Sequence, residues 1–160
     1  MKSAPKTIII SGTTRNVGKT TFACQIIEKY KVEEVTAIKI SPHIHNIEKE
    51  SIIIERNADF TVIKEHKKDI NKDSSRMLKA GAKDVYFIMT RDENLQKVVD
   101  YLNRIIDFNK RIVIESAAIR RFIKPQYFYL IYNDENTKVK YQNLDLETFI
   151  DFRVNSKEIF

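Results

Sequence analysis

Two glycines, a lysine and a threonine lie close together near the amino end of the chain, in Gly12-Thr-Thr-Arg-Asn-Val-Gly18-Lys19-Thr20. Glycine permits tight backbone turns, which can direct several N–H groups inward toward one anion. A lysine ammonium adds positive charge at such a turn, and a threonine hydroxyl is a hard oxygen ligand of the kind that Mg²⁺ prefers. These residue types in this order indicate a loop that binds a polyphosphate together with magnesium.

The spacing of this loop is longer than usual. Five residues separate Gly12 from Gly18, so Thr13 stands where G-x-x-x-x-G-K-[ST] loops have their first glycine. The alternative is a helix N-cap with incidental glycines. The flanking elements favour a nucleoside triphosphate site, for ATP or GTP, whose predicted contacts are Gly12, Thr13, Thr14, Arg15, Asn16, Val17, Gly18, Lys19, Thr20 and Thr21.

The elements on either side of the loop are those that phosphate binding requires. Thr7–Ser11 is a short run of β-branched residues, typical of a buried strand. From Gly18 to Lys31 the apolar residues recur every three or four positions, which predicts an amphipathic helix. The amino terminus of that helix would direct free N–H groups and the positive end of its dipole at the anion.

The remainder of the chain alternates between strand and helix patterns. Further strands are predicted at Val35–Ile40, Val85–Met89, Arg111–Glu115 and Tyr127–Tyr132, and further helices at Asp73–Ala80, Leu95–Phe108 and Leu144–Phe152. Gly81 supplies a left-handed stop for the first of these helices. Such alternation predicts an α/β protein with a mostly parallel sheet between two helical layers. With the loop, it indicates the three-layer sandwich of P-loop NTPases, formed by residues 1–160 as a single nucleotide-binding domain.

One segment interrupts the alternation. Residues 51–65 read as two strands around a turn at residues 56–59, and we expect an antiparallel β-hairpin appended to the core. Its strands are rich in isoleucine, which is an aggregation hazard if the hairpin stays uncovered. We therefore expect a second subunit to cover it.

Three charged residues beyond the loop are candidates for the reaction site. Lys39 lies in a predicted strand, Glu115 ends another, and Asp73 begins a helix. Because ligands bind at the carboxyl edge of such sheets, Thr20, Asp73 and Glu115 are candidate Mg²⁺ ligands. Lys19, Lys39 and Asp73 are the candidate catalytic residues. The structural alternatives are an N-cap for Asp73 and an exposed strand end for Glu115.

Other polar residues carry weaker signals. His43 and His45 alternate without a cysteine or carboxylate partner, so loop histidines are favoured over a metal site. Arg15, at the apex of the loop, could contact phosphate across a dimer, but solvent exposure is favoured. The segment 133–136 follows the last predicted strand, where a base-recognition loop belongs, although it lacks the Asn-Lys-x-Asp sequence of guanine-specific proteins.

The composition limits the kinds of partner that we expect this protein to bind. The 160 residues are 42% hydrophobic and 31% charged, as in ordinary soluble proteins, and the formal charge is +6. The charges are interleaved, as at residues 64–69, which favours a mixed-charge surface over nucleic-acid binding. No apolar run approaches membrane-spanning length. The single cysteine, Cys24, excludes an internal disulfide, and with no signal-peptide pattern we expect a cytoplasmic protein.

Several stretches resemble known families. The loop is similar to that of dethiobiotin synthetase and related ligases, which share the longer spacing. Lys72–Ala82 resembles a Lys-Asp-Ser stretch of the molybdopterin-guanine dinucleotide biosynthesis protein B (MobB) family. Ile38-Lys39 with the following histidines, and the strand ending at Glu115, are similar to further elements of that family. Ser116 departs from both families, which have glycine there. The resemblance implies a P-loop fold and a homodimer with nucleotide near the subunit interface.

Three functions are consistent with these features. The first is Mg²⁺-dependent triphosphate binding with weak hydrolysis, by an accessory protein of the MobB type that assists a partner enzyme in cofactor biosynthesis. The second is an ATP-dependent ligase or kinase resembling dethiobiotin synthetase, in which Lys39 holds a carboxylate substrate. The third is a regulatory module that binds nucleotide without turnover.

Overall fold

The structure, a computed structural model, describes residues 1–159 and contains a mixed α/β fold. The strands are β1 (Lys2–Gly12), β2 (Thr36–Ser41), β3 (Ile52–Arg56), β4 (Phe60–Lys64), β5 (Asp84–Thr90), β6 (Ile112–Glu115), β7 (Ile123–Tyr132) and β8 (Phe152–Asn155). The α-helices are α1 (Lys19–Tyr30), α2 (Asp73–Lys79) and α3 (Leu95–Ile105). Short 3₁₀ helices cover Lys31–Glu33, Asp92–Asn94, Ala118–Arg121, Tyr141–Phe149 and Ser156–Glu158.

All eight strands form one sheet in the order β3-β4-β5-β2-β6-β1-β7-β8. Along this order, each neighbouring pair from β5 through β2, β6, β1 and β7 to β8 is parallel. Strand β4 pairs antiparallel with both of its neighbours, β3 and β5. Because β1, β2 and β6 are adjacent and parallel, their carboxyl ends meet at one edge of the sheet. The predicted α/β architecture with a mostly parallel sheet is confirmed.

The strands at the centre of the sheet are buried on both faces, which explains their nearly continuous apolar sequences. In β1, Ile9 packs into one hydrophobic cluster while Ile8 and Ile10 pack into the other. The first cluster lies under α3 and the second under α1 and α2. These two clusters produce the three layers of the predicted sandwich.

The predicted hairpin is present, but it is not a separate appendage. Strands β3 and β4 pair antiparallel, and β4 also pairs with β5, so the hairpin extends the edge of the main sheet. Its turn forms because the Asn57 side-chain oxygen accepts hydrogen bonds from the backbone N–H groups of Asp59 and Phe60, at 2.8 and 3.0 Å. On the outermost strand, Ile52, Ile53 and Ile54 are exposed.

The carboxyl-terminal prediction was wrong. In place of an α-helix over Leu144–Phe152, the chain forms the 3₁₀ helix Tyr141–Phe149 and then the parallel edge strand β8. Asp151 directs this change, because its carboxylate accepts from the Phe128 N–H at 2.8 Å and its own N–H donates to the Phe128 carbonyl at 2.9 Å. These two bonds end the helical turn and align the following residues with β7.

Several boundaries also differ from the predictions. Strand β1 begins at Lys2, before the predicted Thr7, and its first residues pair with β7 across a bulge. Strand β7 begins at Ile123, and α3 ends at Ile105, after which Ile106 is extended. Gly81 does stop α2 in the left-handed region, with φ +113°. Within residues 1–159, no helix has the length and apolar character needed to cross a membrane.

Candidate phosphate and metal site

The loop between β1 and α1 has a backbone suited to anion binding. Asn16 and Gly18 both have positive φ, 58° and 114°, so neighbouring N–H groups can converge on one point. A Cβ atom at Gly12 would lie 2.7 Å from Val17 Cγ1 and 2.8 Å from the Lys19 side chain. Glycine at position 12 is therefore what allows Lys19 to fold back across the loop.

The first turn of α1 faces the same loop. This turn contains no acidic side chain, and its N-cap is Gly18, which has no side chain to accept a hydrogen bond. The helix therefore presents free N–H groups. The Lys19 ammonium lies 3.4 Å from the Thr14 carbonyl oxygen, to which it donates. Burial lowers the pKa of Lys19, and the charges of Lys140 and Lys39 lower it further, although Glu115 acts in the opposite direction. This concentration of positive charge favours a bound anion.

A charged network lies beside the loop, at the carboxyl ends of β2 and β6. The Lys39 ammonium is 2.5 Å from a Glu115 oxygen and 3.0 Å from an Asp73 oxygen. The second Glu115 oxygen accepts from the Thr20 hydroxyl at 2.8 Å. The predicted metal ligands Thr20, Asp73 and Glu115 thus come together around Lys39. The structure brings these residues together from α1, β2, α2 and β6.

Because Lys39 and Glu115 are buried, each of these charges depends on its oppositely charged partner for stabilisation. The Glu115 side chain is 2% exposed and that of Lys39 is 18% exposed. Burial alone would lower the pKa of Lys39, but Glu115 and Asp73 outweigh it and raise that pKa. Burial would likewise raise the pKa of Asp73, but Lys39 outweighs it and lowers that pKa. Both groups are therefore charged at neutral pH.

Asp73 does not cap α2, as the alternative sequence interpretation would have it. Lys72 is the N-cap and Asp73 is the first helical residue, with its carboxylate directed toward Lys39. The amino end of α2 is instead held by Glu65, a buried carboxylate at the end of the hairpin. Glu65 accepts from the hydroxyls of Ser74 and Ser75, at 2.6 and 2.9 Å. Glu65 therefore fixes the helix that carries Asp73.

A cavity of about 860 Å³ connects these groups. Seven of the ten predicted nucleotide-binding residues line it: Gly12, Arg15, Asn16, Gly18, Lys19, Thr20 and Thr21. The cavity continues past Lys39, Asp73 and Glu115 to the ends of β5 and β4. Thr13 and Val17 are buried beside the loop, and Thr14 contributes its carbonyl oxygen, so these three side chains do not line the cavity.

The donor set suits magnesium. Two carboxylates and a hydroxyl are hard oxygen ligands, and Mg²⁺ usually takes one or two carboxylates and completes its shell with water and phosphate oxygens. Residues 1–159 contain no cluster of three or more His, Cys, Asp or Glu side chains that would hold a metal by themselves. The site therefore fits a cation that arrives with a polyphosphate.

The candidates with weaker sequence signals, His43, His45 and Arg15, lie elsewhere along the same cavity. His45 lies 3.0 Å from the Ser41 hydroxyl, and its ring is 6.0 Å from that of Phe87. His43 and His45 both line the far part of the cavity, with ring centres 6.5 Å apart. Arg15 is exposed at the rim, as expected.

Sequence reasoning missed two parts of the site. Glu65 was assigned only to a hairpin strand, and no local pattern marks its contacts with Ser74 and Ser75. Lys140, Gln142 and Asn143 line the cavity, whereas the predicted base-recognition segment 133–136 does not. The sequence marks these three residues only by their position after Tyr127–Tyr132, the last predicted strand.

We predict that Lys39→Ala lowers the stability of folding by about 3–5 kcal/mol, because it leaves the Glu115 carboxylate buried without its cation. The melting temperature should fall by about 6–20 °C. Adding Glu115→Gln should recover part of the loss, and Lys64→Ala, which breaks a half-exposed pair with Asp84, should cost at most about 1 kcal/mol. A double variant no more stable than Lys39→Ala would contradict this assignment.

The same network predicts a pH window. The Asp73 pKa is lowered from 3.8, so its contribution is present above that pH and lost as the pH falls further. The Lys39 pKa is raised from 10.5, so its contribution is present below that pH and lost above it. The stability difference between the unmodified chain and the double variant Lys39→Ala, Glu115→Gln, which leaves no unpaired buried carboxylate, should stay constant from about pH 5 to pH 9 in denaturant titrations. A marked change within this range would contradict the pairing.

Comparison with known proteins bears on the fold. No protein-family model matches the chain, and no curated protein matches it. It is similar to the crystal structure of "apo" form LpxK from Aquifex aeolicus in complex with ATP, with a TM-score of 0.54 and 14% identity. The alignment covers 97% of this chain and 49% of the LpxK chain, so this chain spans about half the length of that protein. At this identity the likeness shows the fold alone, a mixed α/β fold built on a mostly parallel sheet.

Proposed function

We propose that the chain binds a nucleoside triphosphate, ATP or GTP, together with Mg²⁺ and hydrolyses it slowly. The observation that carries the proposal is the network of Lys39, Asp73, Glu115 and Thr20 beside the loop that holds Lys19. In the LpxK structure, a protein of similar fold is in complex with ATP. The motif resemblance supports an accessory role of the MobB type, assisting a partner enzyme of cofactor biosynthesis.

Each residue then has a defined role. The loop N–H groups and the amino end of α1 hold the phosphates, and Lys19 neutralises their charge. When the triphosphate enters, its negative charge competes with Glu115 for the Lys39 ammonium, which can then stabilise the γ-phosphate in the transition state. Bound Mg²⁺, held by Thr20, Glu115 and Asp73, would screen the phosphate charge.

Asp73 is the residue suited to orient the attacking group. Its carboxylate is partly exposed to the cavity, and because its pKa is lowered it accepts a hydrogen bond from water at neutral pH. The water oxygen attacks the γ-phosphorus as the bond to the bridging oxygen breaks, and the proton passes to the carboxylate or to the released phosphate. A carboxylate of low pKa is a weak base, which accords with slow hydrolysis.

Binding is tested by thermal melts with ATP, GTP and their non-hydrolysable analogues, with and without Mg²⁺. At a hundredfold excess over Kd, binding should stabilise the protein by about 2.7 kcal/mol, or roughly 5–10 °C. Lys19→Ala should abolish the shift, while Lys110→Ala, which removes an exposed lysine before β6, should retain it. The absence of a shift with every nucleotide would refute the proposal.

Turnover is tested by Mg²⁺-dependent phosphate release. Asp73→Asn should lower the rate by about 10²–10⁴-fold, because it removes the proton acceptor, and should keep a nucleotide-induced shift, because the loop and the cation ligands Thr20 and Glu115 remain. Asp100→Asn, on the exposed side of α3, is the matched control. Equal release by Asp73→Asn and the control would exclude catalysis by Asp73. Nucleotide binding by the unmodified chain with no Mg²⁺-dependent phosphate release would favour a module that binds nucleotide without turnover.

A second candidate is phosphoryl transfer to an acceptor other than water, in a kinase or ligase. The observation that favours it is the continuation of the cavity beyond Asp73, toward His45, Phe87 and Met89. This part combines imidazole, aromatic and thioether side chains, a lining suited to an organic molecule rather than to water alone. Lys39 would then contact an acceptor carboxylate.

We also propose a homodimer in which the partner copy covers β3. This strand is the edge of the sheet, with one row of backbone groups free, and its three isoleucines are exposed. Sedimentation at micromolar concentration should show a dimer, and Ile53→Lys should shift it toward monomer, whereas Val32→Lys, at an exposed position after α1, should not. A monomeric unmodified chain would refute this.

A further inference from the structure

The strand order gives the cavity a direction. The sheet places β6 and β2 on one side of β1 and β7 and β8 on the other. Glu115 and Lys39, the groups suited to the metal and the γ-phosphate, lie on the first side. A triphosphate held by the loop after β1 therefore has its nucleoside end on the side of β7.

The chain after β7 returns to the cavity on this side. Strand β7 ends at Tyr132, and the next four residues close a turn in which the Asn136 N–H donates to Asn133. This turn does not line the cavity, but Lys140, Gln142 and Asn143 do. The wall on the nucleoside side is therefore formed by Lys140, Gln142 and Asn143.

The side chains of this wall differ in what they can bind. The charge of Lys140 lowers the pKa of Lys19, so the two ammonium groups are near each other at the phosphate end. Gln142 is exposed and offers a side-chain amide, with one donor and one acceptor side. Between them in sequence, Tyr141 is 87% exposed and does not line the cavity.

The wall is held in place from below. The Arg121 guanidinium makes two bonds of 2.8 Å to the Asp145 carboxylate and donates to the Gln142 carbonyl at 2.9 Å. Asn143 is buried and its side-chain oxygen lies 3.5 Å from the same guanidinium. Asn143 is thus engaged in the support, and the Gln142 amide is the group available to a ligand.

We propose that the wall of Lys140, Gln142 and Asn143 forms the nucleobase subsite and that Gln142 selects adenine, an inference that rests on the proposed triphosphate binding. The Gln142 amide donates to adenine N7 and accepts from the N6 amino group, the pairing that amide side chains make with adenine. Lys140 contacts the phosphates. Guanine places a second acceptor, O6, opposite the amide oxygen, and is therefore disfavoured.

The test compares three probes in the presence of Mg²⁺: ATP, GTP and inorganic tripolyphosphate, which has no base. Affinities are measured by calorimetry for the unmodified chain and for Gln142→Ala, Lys19→Ala and Gln96→Ala. Gln96 is an exposed glutamine on α3, away from the cavity, and serves as the matched control.

We expect the unmodified chain to bind ATP more tightly than GTP. Gln142→Ala should weaken ATP binding by roughly 5- to 150-fold, remove the preference over GTP and leave tripolyphosphate affinity unchanged. Gln96→Ala should change none of the three.

The outcomes separate the two proposals. If Lys19→Ala leaves ATP and tripolyphosphate binding intact, the proposed function fails at its loop. If Lys19→Ala abolishes binding but the unmodified chain does not distinguish ATP from GTP, the base subsite is refuted and the loop stands. A Gln142→Ala variant that keeps its ATP preference, or that loses tripolyphosphate as strongly as ATP, also refutes the subsite.

Discussion

The candidate site depends on one buried ion pair, between Lys39 and Glu115. A carboxylate that is 2% exposed at the end of a strand costs several kcal/mol unless it is compensated, and the Lys39 ammonium at 2.5 Å compensates it. Because Lys39 also holds Asp73, the pair joins α2 to the centre of the sheet. A bound cation would take the place of the Lys39 ammonium beside Glu115, and the triphosphate would take the place of Glu115 beside Lys39. Ligand binding would therefore rearrange the same interaction that stabilises the free protein.

The sheet provides the positions on which this pair depends. Parallel pairing of β1, β2 and β6 brings the phosphate loop, Lys39 and Glu115 to a common edge, and the hairpin contributes through Glu65, which fixes the amino end of α2. The hairpin is thus connected to the candidate site as well as to the sheet edge. Two hydroxyl hydrogen bonds join Glu65, the residue after β4, to the helix that begins with Asp73.

The parts that could be predicted are those with a local cause. The loop, β1 and α1 follow from glycine placement and apolar periodicity, and Lys39 and Glu115 were found because they lie at or near strand ends. Glu65 could not be recognised, since its partners are set by packing. Strand β8 was missed because four half-exposed edge residues carry no apolar pattern, and the wall at 140–143 depends on Arg121, whose partners lie 21–24 positions away.

The central claim is that a triphosphate and a divalent cation occupy the loop and the Thr20–Asp73–Glu115 oxygens together. Electron paramagnetic resonance with Mn²⁺ in place of Mg²⁺ tests it directly, in the presence of a non-hydrolysable ATP analogue. We predict that the protein-bound Mn²⁺ signal requires the analogue and is strongly weakened by Thr20→Val and by Glu115→Gln, with Thr36→Val as control. Mn²⁺ binding that is independent of the analogue, or unchanged in both variants, would contradict the account.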